Sequence, residues 1–154
     1  MVAAEDDRIA DVARALEDEA PQDVPIEVSA VQVDLAAYDG VETLWRAVRL
    51  GGRTPGAVAI NAGVGVGGDF VRENALSDEL NLISLNITGA VHLAKLVLPD
   101  MIAQCAGGLL FTSSIAASAP GPYHATYAPS KAFLLSFAEA IRYELRDTGV
   151  TSPH

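Results

Sequence analysis

The sequence is poor in cysteine and in positive charge. Its 154 residues include one cysteine, Cys105, which cannot form a disulfide within the chain. Nothing therefore points to an oxidising compartment, and a cytoplasmic location is expected. Ten Lys and Arg residues stand against twenty Asp and Glu residues, for a formal net charge of -10. Such a chain would repel a nucleic-acid backbone or an anionic membrane, so neither is expected as a partner.

Long uncharged apolar segments are missing as well. The longest apolar stretch, near Leu93–Leu98, contains Lys95, and the first residues are acidic where a signal peptide would be basic. No membrane-spanning or targeting segment is predicted. Hydrophobic residues make up 50% of the chain and charged residues 19%, which excludes disordered and collagen-like classes. Residues 1–154 are expected to form one domain with a single core.

Helical and strand patterns alternate along the chain. Apolar spacing predicts helices over 8–17, 41–48, 77–103 and 124–146. Apolar or β-branched runs predict strands over 26–33, 57–61 and 109–112, with another starting at 149–151. Asp6 or Asp7 is expected to cap the first helix, and Pro21 and Pro25 to end it. This alternation over short loops indicates an α/β domain with a parallel sheet.

The long helix over 77–103 carries two apolar stripes instead of one. The first consists of Leu80, Ile83, Ile87, Val91, Ala94 and Leu98. The second consists of Leu82, Leu85, Leu93 and Leu96. One stripe can face the sheet, and the other needs a partner in the same chain or in a second copy. We expect this helix to form a homo-oligomer interface.

Tyr127 and Lys131 stand at the beginning of the last helix. Their spacing of four residues places both on one helix face. A free tyrosine is a poor acid or base at neutral pH, but a nearby ammonium group and a helix N-terminus both stabilise its phenolate form. The pair is thus either a proton-transfer site or the start of an ordinary amphipathic helix.

Two further polar residues are candidates for chemistry. Ser114 follows a predicted buried strand, at the carboxyl edge where doubly wound sheets bind their ligands. Its hydroxyl could hydrogen-bond a substrate carbonyl or alcohol oxygen. Asn86 lies between leucine and isoleucine inside the long helix, so it is predicted either to have a function or to cap a distortion.

Together these residues resemble those of the short-chain dehydrogenases/reductases. The similar motifs, in the same order, are Asn61-Ala62-Gly63 after a buried strand, Asn86, Ser114, and Tyr127-x-x-x-Lys131. The resemblance extends from about Val2 to Thr151. It implies a doubly wound, Rossmann-like parallel sheet. It also implies hydride transfer between a nicotinamide cofactor and a small alcohol or carbonyl substrate.

The resemblance assigns catalytic roles to four residues. Tyr127 would be the acid and base, and Lys131 would assist it while holding the nicotinamide ribose. Ser114 would orient the substrate oxygen. Asn86 would anchor a water relay to Lys131. No metal ion is implied.

Cofactor contacts follow from the same resemblance. Asn61, Ala62 and Gly63 would pack beneath the cofactor, beside Tyr127 and Lys131, and Asp34 would contact the adenine. An acidic residue at the end of the second strand favours an unphosphorylated ribose. The chain is expected to start at the end of the family's second strand, which is where Glu5–Asp7 lie. NAD is therefore expected in preference to NADP.

The sequence departs from the family pattern in two ways. The Thr-Gly-x-x-x-Gly-x-Gly turn that holds the pyrophosphate is absent, together with its strand and helix. The final strand is absent too, so the sheet is expected to lack its first βα unit and its C-terminal strand. Without the first strand, two sheet edges are exposed. These edges pair with each other, pair with a strand of another chain, or are completed by a part of a longer molecule.

The loop Gly63–Gly68 has the spacing G-x-G-x-x-G after a strand. A dinucleotide-binding fingerprint also needs an acidic residue about 20 positions later, at the end of a second strand. Here that position falls inside the long helix, near Asn86. We therefore expect this loop to be a flexible entry to the site.

Three functions compete on these observations. The first is a nicotinamide-dependent oxidoreductase. The second is a non-catalytic fragment or pseudoenzyme that acts as an interaction module through the long helix. A serine hydrolase using Ser113 or Ser114 is the weakest, since there is no G-x-S-x-G turn and His124 lies too near in sequence for a predictable triad.

Overall fold

The computed structural model describes residues 1–21, 23 and 26–152. Strands and helices alternate within them. The strands are β1 Val2–Ala4, β2 Ala30–Gln32, β3 Ala57–Ile60, β4 Gly107–Phe111 and β5 Val150–Thr151. The helices are α1 Ile9–Asp18, α2 Tyr38–Leu50, α3 Leu76–Ile83, α4 Ala90–Ala103 and α5 Tyr127–Glu144. A π-helical turn, Ser84–Gly89, joins α3 to α4, and a 3-10 turn, Ile115–Ala117, lies between β4 and α5.

The strands form two parallel sheets, not one. β1 pairs with β2, with Val2 opposite Ala30. β3 pairs with β4, and β4 pairs with β5. No strand among the described residues joins these two sheets. The predicted α/β fold with parallel strands is confirmed, whereas direct pairing of the two exposed edges does not occur.

One hydrophobic core connects both sheets to the helices. Its largest fully buried side chains are Val41 of α2, Val97 and Met101 of α4, Leu109 of β4 and Leu134 of α5. Ala3 and Val31 of the two-stranded sheet pack against this cluster. Burying a large aliphatic side chain contributes about 1.5–3 kcal/mol. The core therefore holds the two sheets together without a strand between them.

One face of the three-stranded sheet is less covered than the other. Ile60 and Phe111 are buried, whereas their neighbours Ala59 and Leu110 are exposed, Leu110 by 42%. Parallel sheets are normally covered on both faces. Within the described ranges, α4 and α5 bury residues in the core against this sheet, and the alternate side chains remain open.

Several predicted boundaries are wrong for local reasons. β2 begins at Ala30 and not at Ile26, because only three of its residues have a partner in β1. Pro25 lies outside the described residues. The N-cap of α1 is Arg8, and the Asp6 carboxylate instead accepts the Arg8 amide at 2.9 Å. α5 begins at Tyr127 and not at residue 124, and residues 125–126 form a turn instead.

The predicted helix over 77–103 is present but distorted at its centre. The π-helical turn ends at Gly89, where a Cβ would lie 2.4 Å from the Leu35 carbonyl oxygen. Glycine at this position lets the helix approach the turn that follows β2. Pro99 lies inside α4 and does not end it.

The two apolar stripes of this helix differ in exposure. Leu82 and Leu93 of the second stripe are buried in the protein. In the first stripe, Leu80 and Ile83 are exposed, by 52% and 38%, while Ala94 is buried. The N-terminal part of the first stripe is thus not fully covered by the described part of the chain.

The segment Leu76–Ala103 is long and apolar enough, by length and composition alone, to cross a membrane, with a mean hydropathy of 1.4. Core helices of soluble proteins pass the same test. Here Val97 and Met101 are core residues, so the finding is weak support for a membrane span. The expectation that no segment spans a membrane stays a prediction.

Candidate active site

Asn86 lies in the π-helical turn and is fully buried. Its Nδ2 donates to the Val64 carbonyl at 2.9 Å, and its Oδ1 accepts the Val64 amide at 2.9 Å. Nδ2 also contacts Ser130 Oγ at 3.1 Å. Asn86 therefore ties the loop after β3 to helix α5.

The π-helical turn explains how a polar side chain reaches this position. Such turns occur mostly as single insertions within α-helices, frequently at functional sites. The sequence predicted that Asn86 either has a function or caps a distortion. The distortion is present, and the side chain serves Val64 and Ser130 beyond its own helix.

Lys131 is only 5% exposed. Its Nζ donates to the Thr112 carbonyl at 2.9 Å, at the end of β4. The Ser113 hydroxyl donates to the Lys131 carbonyl at 3.0 Å, which secures the same turn of α5 from the other direction. No carboxylate forms an ion pair with Lys131 in the part of the chain that the structure describes. Burying an unpaired ammonium group is costly, which suggests a use for its charge.

Tyr127 is half-buried at the first turn of α5, one turn before Lys131. Lys131 Nζ lies 5.9 Å from the centre of the Tyr127 ring. A Cβ at Gly65 would lie 3.7 Å from Tyr127 Cδ2, so the glycine loop runs beside the ring. The predicted pair is brought together, with the Lys131 ammonium group beside the Tyr127 ring.

Gly63 completes this cluster. A Cβ at Gly63 would lie 3.1 Å from Asn86 Oδ1 and 3.3 Å from Lys131 Nζ. The backbone of residue 63 therefore approaches both side chains closely. A side chain there would crowd the space beside the Lys131 ammonium group.

Ser114 and Asn61 lie at the carboxyl ends of adjacent strands. Ser114 Oγ accepts the Ala116 amide at 3.2 Å and caps the 3-10 turn. Asn61 Oδ1 accepts the Thr112 hydroxyl at 2.9 Å, which links the ends of β3 and β4. Ala62 connects Asn61 to Gly63 and is half-buried. The substrate and cofactor roles of these residues remain predictions.

Asp34 lies outside this cluster. It follows β2, which belongs to the other sheet, and it is exposed. Its Oδ1 accepts the Ala36 amide at 2.8 Å, just before α2. The structure therefore gives Asp34 a turn-forming role, and a contact with adenine remains a prediction.

The glycine loop differs from the expected flexible entry. Asn86 holds it at Val64, and the Gly68 amide donates to the Tyr123 carbonyl at 3.0 Å. The next helix begins only at Leu76, so no helix N-terminus directly follows the glycines. This agrees with the prediction that the loop is not a pyrophosphate-binding fingerprint.

Sequence reasoning did not identify Ser130 as part of the site. Ser130 is fully buried, and its hydroxyl donates to the Tyr127 carbonyl at 2.7 Å while it contacts Asn86. The only signal available was a serine next to Lys131 in a helix that is otherwise apolar there. The hydroxyls of Ser113 and Ser114 contact backbone groups and not His124, which gives no support to a serine hydrolase.

Comparison with known proteins identifies the family. A family model described as short chain dehydrogenase matches residues 1–152. The chain belongs to the short-chain dehydrogenase family. It is 36% identical, over 89% of its length, to an uncharacterized oxidoreductase of Myxococcus xanthus, of which it covers 53%. It is 31% identical, over 78% of its length, to a probable NADP-dependent dehydrogenase of Haemophilus influenzae, of which it covers 46%.

Solved structures of family members have the same fold. A metagenomic short-chain oxidoreductase in complex with NADP superposes with a TM-score of 0.84 at 27% identity, over 97% of this chain and 65% of the other. L-Sorbose reductase from Gluconobacter frateurii, complexed with NADPH and L-sorbose, gives a TM-score of 0.83 at 28% identity, over 96% and 55%. The chain thus spans about half the length of the curated relatives described above.

A nicotinamide cofactor, which the family implies, fits one part of this site. Lys131 uses one of its three N–H donors on Thr112, and Gly63 leaves room beside its ammonium group. These residues suit the nicotinamide ribose. This fit concerns the nicotinamide ribose, and residues 1–154 contain no Thr-Gly-x-x-x-Gly-x-Gly turn to compare with the pyrophosphate.

Proposed function

We propose that this chain carries the proton-transfer site of an oxidoreductase that interconverts a small alcohol and its carbonyl compound. The observation that carries the proposal is Lys131, a buried lysine without a carboxylate partner among the described residues, located 5.9 Å from the Tyr127 ring centre. Family membership supports the same reaction. If the lysine contributed to stability alone, an exposed salt bridge would contribute as much. A buried ammonium group beside a phenol is instead an arrangement suited to proton transfer.

Each residue of the cluster has a task in the reduction of a carbonyl. The Tyr127 hydroxyl donates its proton to the carbonyl oxygen, and the Lys131 ammonium stabilises the phenolate that forms. Ser114 Oγ hydrogen-bonds the same oxygen and fixes its position. Asn86 keeps the loop at Val64 in place. When bound, the nicotinamide supplies the hydride to the carbonyl carbon, and Tyr127 then regains a proton from water.

We further propose NADP as the cofactor. The expectation of NAD finds no support in the relatives, since the Haemophilus influenzae relative is a probable NADP-dependent dehydrogenase and the metagenomic oxidoreductase is in complex with NADP. Arg8 follows β1, and its Nε donates to the Asp6 carboxylate at 3.0 Å, which with the Arg8 amide keeps the pKa of Asp6 far below its usual range. An arginine near the end of this strand accommodates a 2′-phosphate in doubly wound folds. Arg8→Ala is expected to weaken NADPH binding roughly fivefold and to leave NADH binding unchanged.

The reaction is tested by substituting Tyr127. NADPH-dependent reduction of a panel of ketones is measured with the wild-type chain and with Tyr127→Phe, which removes only the hydroxyl. We expect the substitution to lower kcat by about 10²–10⁴-fold. Tyr143→Phe is the matched control, because Tyr143 is exposed on the same helix and contacts Arg146. Equal rates for wild type and Tyr127→Phe would remove Tyr127 from the mechanism.

A non-catalytic interaction module is the alternative. It is favoured by the separation of the two sheets, which leaves β3 paired on one side only within the residues that the structure describes. If the wild-type chain shows neither turnover nor NADPH binding, the module replaces the enzyme as the better account.

We also propose that the chain forms a homo-oligomer through the segment 76–91. Leu76, Leu80 and Ile83 are exposed there at helical spacing. Burying such a stripe against a second copy would remove apolar surface from water. Analytical ultracentrifugation tests the proposal: Leu80→Glu is expected to shift an oligomer towards the monomer, and a wild-type monomer at micromolar concentration contradicts it.

A further inference from the structure

We propose that Glu79 is a positioning residue of the site. Its buried carboxylate holds Asn74, and Asn74 holds the glycine loop at the point where that loop meets Tyr123, beside Tyr127. The effect on substrate binding rests on the proposed oxidoreductase function. The inference adds a residue from outside the cluster described above.

Glu79 is a buried carboxylate with a single hydrogen-bond partner. It lies in the first turn of α3 and is 5% exposed. Its Oε1 accepts Asn74 Nδ2 at 2.7 Å, while its Oε2 is buried without a partner among the described residues. A carboxylate buried in this way costs stability. Asp78, exposed in the same turn, already gives the helix N-terminus a favourable negative charge. The burial of Glu79 therefore indicates a use for the one contact that it makes.

Asn74 transmits this contact to the glycine loop. Its Oδ1 packs on Gly68, where a Cβ would lie 2.6 Å from that oxygen. Gly68 has a φ of 127°, a backbone conformation that other residues rarely adopt. The Asn74 amide also donates to the Asp69 carbonyl at 3.2 Å. With its side chain held by Glu79 and its backbone by Asp69, Asn74 fixes the end of the loop.

Gly68 joins the glycine loop to the segment that precedes α5. Its amide donates to the Tyr123 carbonyl at 3.0 Å, and a Cβ at Gly67 would lie 3.7 Å from the same oxygen. Tyr123 has a φ of 64°, which is costly for a bulky residue and persists only where the surroundings enforce it. Earlier in the loop, a Cβ at Gly65 would lie 3.7 Å from the Tyr127 ring. The Gly68–Tyr123 bond thus joins two segments that border Tyr127.

Loss of this anchor should affect substrate binding more than the chemical step. Lys131 is held by contacts that do not involve Glu79, namely those with Thr112 and Ser113. The glycine loop and Tyr123, in contrast, form a wall beside the Tyr127 ring. If that wall is loosened, it must be ordered again each time a substrate binds, which weakens binding. Glu79 is therefore expected to act on KM and not on kcat.

Hydrogen exchange of the Gly68 amide, followed by NMR, tests the contact without any turnover. Glu79→Leu removes the acceptor of Asn74, so the Gly68 amide should exchange about tenfold faster. Glu79→Gln keeps an acceptor oxygen and should exchange like the wild type. The Gly108 amide, which donates to the Gly56 carbonyl at 3.0 Å in the three-stranded sheet, is the internal control and should not change. Equal acceleration at both glycines would mean a general loss of stability and would overturn the proposal.

Ketone reduction with NADPH tests the consequence for the site. In Glu79→Leu we expect KM for the ketone to rise about fivefold at unchanged kcat, and Glu79→Gln should restore it. Asn74→Ala breaks the same hydrogen bond, so it should give the same rise, and the double variant should be no worse than either single one. Asp78→Leu, at the exposed neighbour, should leave KM unchanged. A fall in kcat, or effects that add in the double variant, would contradict the positioning role.

The two measurements separate this inference from the proposed function. If the wild-type chain reduces no ketone, the proposed reaction fails and the exchange measurement alone decides. Selective acceleration at Gly68 in Glu79→Leu then supports the positioning role. Unchanged exchange at Gly68 overturns it, whether or not the chain is active.

Discussion

The two parts of this molecule hold their polar groups in different ways. In the C-terminal part, residues 57–152, buried side chains bind across elements: Asn86 reaches Val64 and Ser130, and Lys131 reaches Thr112. In the N-terminal part, residues 1–50, the ion pairs beside β1 and within α1, Asp6 with Arg8 and Asp11 with Arg14, are local and exposed, while Glu42 and Arg49 of α2 pair with His92 and Asp100 of α4. Buried networks fix geometry, whereas exposed pairs contribute little stability. The side chains of the proposed proton-transfer site are therefore held more firmly than the charged side chains that follow β1.

Among the substitutions that test this contrast, Lys131→Met is expected to have the largest effect. The substitution keeps the length of the side chain and removes the buried charge, so kcat should fall about a hundredfold. The free energy of unfolding should change little, since the loss of the Thr112 carbonyl's donor is offset by no longer burying an unpaired ammonium group. Ketone reduction and urea unfolding measure the two quantities.

Lys95→Met is the control for that substitution, because Lys95 is the other lysine and is exposed on α4. Neither quantity should change in it. A Lys131→Met chain that loses stability in proportion to its activity would assign Lys131 a structural role and break the contrast.

A smaller effect is expected from Asn86→Ala. This substitution leaves the backbone amide and carbonyl of Val64 without their partner, which should cost about 2 kcal/mol in the free energy of unfolding. The exposed residue Asn81 on the same helix provides the control, Asn81→Ala. Urea denaturation measures both, and equal stabilities would mean that the Val64 contacts contribute nothing.

The smallest effect concerns Asp69, at the far end of the glycine loop. The amides of Val71 and Arg72 and the Arg72 guanidinium lower the pKa of its carboxyl. Because this pKa is lower in the folded state, ionised Asp69 stabilises the protein at pH values above about 3.9, its pKa in the unfolded chain. The contribution is lost as the pH falls below that value and through the lowered folded pKa. Asp69→Ala should therefore flatten the loss of thermal stability between neutral and acidic pH. Asp147→Ala, at an exposed carboxylate, should leave the profile unchanged.

Much of the C-terminal site was predictable from sequence. The spacing of Tyr127 and Lys131 and the position of Asn86 depend on helix periodicity, a local property. The contacts of Asn86 with Val64 and Ser130 join residues 22 and 44 positions away, and they depend on how helices pack. Periodicity carries no information about such contacts.

The N-terminal part was less predictable for a different reason. Its strand β2 was expected over 26–33, but a strand extends only as far as its partner, and β1 has three residues. The separation of the sheets likewise depends on which strands lie next to each other. These features follow from pairing in space, which no local pattern records.

The central claim is that the C-terminal cluster holds a nicotinamide cofactor even though the glycine turn is absent from the sequence. Titration of the purified chain with NADPH, followed by cofactor fluorescence, tests it most directly. We predict a saturable change in the wild-type chain that is weakened in Lys131→Met and retained in Lys95→Met. No change with the wild type, or identical titrations for the wild type and Lys131→Met, would contradict the claim.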